Sequence, residues 1–148
     1  MQLRKKIVIG LCGSLLSLGP VGICGALNQS DAYVSAGVSY MSGGIGEDEL
    51  ETLAELGQAY NLKLIFANAA GQYLSDVSVG ITDERNRQVL AAVSRGPWFF
   101  AKLPAGRYHV LATTQGYTRE QMVRVLPQHQ TRLAFSWPES GSHFAKRE

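Results

Sequence analysis

The chain has 148 residues, 45% of them hydrophobic and 18% charged, with a formal net charge of +2. That balance excludes an intrinsically disordered or fibrous polypeptide and fits one compact domain. Arg4, Lys5 and Lys6 stand at the extreme N-terminus; without them eleven basic residues face twelve acidic ones, a net charge of −1, so the basic balance is no argument for a nucleic-acid partner.

Those three cations precede an apolar run from Ile7 to Cys24 that is broken at Gly19-Pro20 and ends in the small-x-small triplet Cys24-Gly25-Ala26. This is the layout of a secretory signal peptide over 1–26, with cleavage after Ala26. The run falls short of the ~20 clean apolar residues of a membrane span, and Ile23 stands where a lipidation signal wants a small residue. The expectation is a mature protein that is periplasmic or secreted, with no stable membrane insertion. Both cysteines, Cys12 and Cys24, leave with the leader, and with them any disulfide, thiol catalysis or cysteine-based metal site.

Residues 27–46 are rich in Ser, Gly and Ala and read as a flexible linker, with a brief alternation at Tyr33 to Tyr40 that could supply an edge strand. Over 47–60 the pattern changes. Leu50, Leu53, Ala54, Gly57 and Tyr60 recur at helical spacing behind Glu47, Asp48 and Glu49, acids that suit a helix N-terminus. The spacing predicts one short amphipathic, acidic helix. Gly43-Gly44-Ile45-Gly46 ahead of it resembles a phosphate loop only superficially: no Lys follows, and the three acids would repel an anion. Six acids and no Lys or Arg lie between Leu27 and Tyr60, whereas nine basic residues face four acids from Asn61 to Trp137. A docking of the acidic helix on the basic body follows as an expectation, with Glu51 and Glu55 meeting Arg124 and Arg132 on one outer face, and with Phe99 and Met122 giving apolar contact.

From 61 to 137 every segment is short, alternating and bounded by turn residues. Leu62 to Ala67, Val77 to Ile81, Val89 to Val93, Trp98 to Leu103, Tyr108 to Thr113, Thr118 to Leu126 and Leu133 to Trp137 make about seven strands near ten-residue spacing. Such a rhythm predicts an all-β, antiparallel sandwich, with 138–148 as a disordered tail. Alternation places Val77, Val79, Ile81, Trp98, Phe100, Leu103, Tyr108, Val110, Val123, Val125, Leu133 and Phe135 in the core, and leaves Phe99 pointing the other way.

Trp98-x-Phe100-x-x-Leu103-Pro104-Ala105-Gly106-x-Tyr108-x-Val110, followed by Gly116-Tyr117, resembles the strand-turn-strand signature of the carboxypeptidase regulatory-like domains, over about Leu62 to Trp137. The resemblance implies a transthyretin/Ig-like sandwich. The upstream glycines, the acidic helix and Tyr60 to Leu64 are similar to small stand-alone exported bacterial proteins of that kind. The resemblance transfers no catalytic, cofactor or metal-binding residue.

No constellation for chemistry stands out. His109, His129 and His143 share no face of any predicted element, so no metal site is expected. No Ser, Asp or Glu sits in a nucleophile-elbow or metalloprotease context. The expectation is therefore a non-enzymatic binding or assembly module at the bacterial cell envelope, without a cofactor, whose partner is an envelope protein or a glycan. The candidate surface comprises Phe99, Tyr117, Arg124 and Arg132. Exposed Phe99 with Tyr117 would serve a carbohydrate platform; an open sheet edge would serve docking to another envelope protein.

Overall fold

The computed structural model describes residues 33–139, so the segment read as a leader and most of that read as a C-terminal tail lie outside the described residues. Nine strands and one α-helix are present among them: β1 (Tyr33–Ser35), β2 (Val38–Gly43), α1 (Glu47–Leu56), β3 (Leu62–Asn68), β4 (Val77–Asp83), β5 (Gln88–Ser94), β6 (Trp98–Ala101), β7 (Gly106–Thr114), β8 (Tyr117–Val125) and β9 (Thr131–Trp137). The strands form two sheets, ordered β1-β2-β6-β3-β9 and β5-β4-β7-β8. One apolar core is shared by both sheets, with Leu62, Leu64, Phe66, Phe99 and Phe135 from the first and Val77, Ile81, Leu90, Val110 and Val125 from the second.

Local chemistry accounts for the tight turns. Ala36 and Gly37, and again Gln115 and Gly116, are two-residue hairpin loops with both φ angles positive, the type I′ geometry that matches strand twist. Asp83 closes the β4–β5 turn by accepting the backbone N–H groups of Arg85 and Arg87 at 2.9 and 3.0 Å, with Asn86 at φ 56° completing it. At the start of β7, Tyr108 donates its hydroxyl to the Pro104 carbonyl at 2.7 Å and so ties the Leu-Pro-Ala-Gly turn to the strand that follows it.

Three expectations are corrected. Residues 33–43, read mostly as linker with a candidate edge strand over Tyr33 to Tyr40, form β1 and β2, and β2 is internal: it pairs antiparallel with β6 in the register Met41 to Phe100, because the backbone groups of β6 need a partner on that side whatever the side chains of β2. The sandwich is also not wholly antiparallel. The turn after β8 switches sheets, so β9 lies beside β3 and runs parallel to it, Leu62 opposite Thr131 and Asn68 opposite Trp137.

The third correction concerns the phase of β6. Phe99, not Phe100, faces the shared core, fully buried and stacked on Tyr40 with centroids 5.3 Å apart. Phe100 is buried as well, but in a second cluster with Met41 and Leu53, flanked by Tyr60 and Trp98. The cause is the connection from β2 to β3. These strands are parallel with β6 between them, and α1 is the crossover that joins them. It lies over the outward face of β6 and covers it. Gly57 is buried in this contact, and a Cβ there would meet the Phe100 ring. Two of the glycines before α1 are packing residues: Gly43 leaves space that the Glu49 carboxylate occupies, and Gly44, at φ +100°, lies against Leu50. Glu49 in turn accepts the Ile45 N–H at 3.0 Å, serving an orphan donor ahead of the helix. At the other end Gln130 donates to the Gly57 and Tyr60 carbonyls at 2.7 and 3.1 Å.

Candidate functional site: a basic corner where the sheets meet

β8 and β9 are edge strands of opposite sheets, and they face each other at one corner. Side chains bridge them: Gln121 donates to the Ala134 carbonyl at 2.8 Å, Thr131 to the Arg124 carbonyl at 3.3 Å, and the Trp137 indole to the Tyr117 carbonyl at 3.0 Å. At the opposite corner, Ser35 donates to the Ala91 carbonyl at 3.2 Å and accepts its N–H at 3.4 Å. Some edge groups at both corners, the Tyr117, Arg124, Ala134 and Ala91 carbonyls and the Ala91 N–H, are thereby engaged within the chain.

The β8–β9 corner carries a belt of cations. Arg107 lies directly opposite Arg124 in the β7–β8 register, and both point outward because their neighbours Tyr108, Val123 and Val125 are buried. The seam follows, at Thr131. Next to it Arg132 lies opposite Lys63 in the β9–β3 register, on the outer face of the other sheet. Lys63 is only 8% exposed. Its Nζ sits 3.3 Å from the centroid of the Trp98 ring and 5.2 Å from that of Phe100, an arrangement in which ring quadrupoles stand in for a carboxylate. Burial, and secondarily the Arg132 charge, push the Lys63 amine below its ordinary pKa.

Carboxylates near the belt are few. Glu84 lies 3.7 Å from Arg107 with both side chains 64% exposed, a contact too solvated to hold tightly. Asp83 is engaged with Arg87 at 2.7 Å; the Arg87 N–H foremost, with the Arg87 guanidinium and the Arg85 N–H, keeps its carboxyl below the usual range against a smaller opposing effect of burial. Among the described residues no ion pair joins Arg124 or Arg132 to an acid. Two depressions open between the β4–β5 turn and the start of β7, of about 530 and about 310 Å3, sharing Glu84, Ala105, Gly106 and Arg107. Arg124 lines the larger.

The four residues singled out from the sequence do not form one surface. Phe99 is buried and is excluded as a ligand platform. Tyr117 is 66% exposed, but it begins β8 whereas Arg124 nearly ends it, seven residues and about 23 Å along the strand. Arg124 and Arg132 lie on strands that adjoin at one corner, where Thr131 donates to the Arg124 carbonyl, but on the outer faces of different sheets. Glu51 and Glu55 make no ion pair with either: α1 is held by Phe100 and Met41, not by the arginines. Met122, 65% exposed, lies beside His109 on the outer face of the second sheet, away from α1. His109 points outward as expected and meets Glu120 at 2.8 Å. Arg107, Lys63 and Glu84 were missed; alternation against Tyr108 and Leu64 marks the first two as outward, but only strand pairing sets them beside Arg124 and Arg132.

Compared with models of known protein families the chain matches none, and no curated protein matches it significantly in sequence.

Proposed function

We propose that this chain is an exported, non-enzymatic binding module of transthyretin-like build that works at the bacterial cell envelope by holding an anionic component against its basic corner. The observation that supports this best is the run of cations, Arg107 opposite Arg124 and, across the seam, Arg132 opposite the buried Lys63, with the solvated Glu84 at Arg107 as the one acid that ion-pairs with them among the described residues. Like charges set directly opposite one another cost stability, so a sequence that needed only a folded sandwich gains nothing from two such pairs. The leader-like 1–26 segment supports export, and a corner partly closed by side-chain bridges favours recognition through charge over strand addition.

The experiment is retention of the full chain, expressed with its leader, on the envelope fraction of the cell. Counterion release makes such binding fall steeply with salt. The triple variant R107Q/R124Q/R132Q is expected to remain folded and to wash off at low salt. Equal retention of wild type and triple variant across the salt series would refute the reading.

A further inference from the structure

We infer that the larger depression at this corner is a site for a phosphomonoester, bound between Arg107 and Arg124 in place of Glu84; the inference rests on the basic-corner reading and makes it specific. Residues directly opposite on antiparallel strands have Cβ atoms about 4.5–5.5 Å apart, so the two guanidinium forks can converge on one tetrahedral anion. Each fork offers donors in the planar geometry that phosphate oxygens accept in pairs. Charge selects among anions. The two arginines carry two positive charges, and a phosphomonoester carries about −1.5 to −2 near neutral pH, enough to neutralise both, where a carboxylate or a phosphodiester neutralises one. Glu84, 3.7 Å from Arg107, is the resident acid that such a group displaces. Gly106 and Ala105 line the depression beside Arg107 with small residues only. The 43% exposed Leu126 gives one wall an apolar side chain that suits the organic part of an ester.

The group can come free in solution or borne on a lipid headgroup, and the test separates the two. Inorganic phosphate is titrated into the protein while the arginine Nε–H signals are followed by NMR, and vesicles containing phosphatidic acid are compared with phosphatidylglycerol vesicles of matched surface charge. Expected are shifts at Arg107 and Arg124, with affinity lowered about tenfold in R124K, which keeps the charge but loses the fork, and raised about two- to threefold in E84Q. Binding seen only on phosphatidic acid vesicles, with the same R124K loss, assigns the lipid-borne source. The proposal is overturned if R124K binds like wild type, if both vesicle types bind equally, or if neither phosphate nor vesicles bind. Loss of envelope retention in the triple variant beside an unaffected R124K would sink this site alone and leave the broader reading standing.

Discussion

Replacing Gly57 by Ala tests the contact on which the placement of α1 depends. Gly57 has helical angles, φ −62° and ψ −21°, a conformation alanine adopts freely. On backbone grounds alone the change should stabilise by about 0.4–1 kcal/mol, through the unfolded chain. The added Cβ, however, would stand on the Phe100 ring, 2.7 Å from Cζ and 2.9 Å from Cδ1. That ring is 1% exposed and packed with Met41 and Leu53, so it has little room to withdraw. Overpacking of this kind costs about 1–3 kcal/mol, which outweighs the backbone gain and leaves a net loss of about 1–2 kcal/mol. The melting temperature should fall by about 4–10 °C, and the double variant G57A/F100L should recover most of it. Thermal unfolding followed by circular dichroism measures both. A G57A protein that melts above wild type would show that α1 does not rest on Phe100.

The two phenylalanines of β6 should separate by what they unfold. F99A removes a fully buried ring from the shared core and is expected to cost about 3–5 kcal/mol in chemical denaturation, whereas F100A should chiefly raise amide exchange from Leu50 to Tyr60; protection of that helix unchanged in F100A would contradict the second cluster. Acid sensitivity should involve Asp83. Its folded pKa lies below its ordinary value, so its contribution is present above the unfolded pKa of about 3.9 and is lost as pH falls through the folded value. D83N should therefore be less stable than wild type at neutral pH and lose less on acidification below about pH 4; parallel stability curves for the two proteins would refute this.

Wherever one face of a strand was apolar and the other polar, the sequence was enough. Val77, Val79 and Ile81 alternate with polar or small residues, as do Tyr108 and Val110, and these strands lie where the pattern puts them. Glu47, Asp48 and Glu49 likewise mark the start of α1. Alternation fails at Trp98-Phe99-Phe100-Ala101, where both faces are apolar because both are covered, one by the facing sheet and one by the helix. A pattern without a polar side has no sign, so only the path of α1 across β6 decided which ring enters the core. The same limit bears on β2: the alternation from Tyr33 to Tyr40 marks an edge strand at most, and its Ser and Gly residues carry no sign that its backbone completes the ladder beside β6.

The basic corner divides along the same line. That Arg124 and Arg132 point outward followed from alternation, Arg124 between the buried Val123 and Val125 and Arg132 beside the inward Leu133. That Arg107 stands opposite the one, Lys63 opposite the other, and that the two pairs adjoin across a seam, depended on strand pairing and on the sheet switch after β8. Local sequence encodes which way a side chain points, since that is a property of one strand and its burial. It does not encode which side chain lies opposite, because pairing is settled by the competition of all strands for partners and by the single core that every inward face must share.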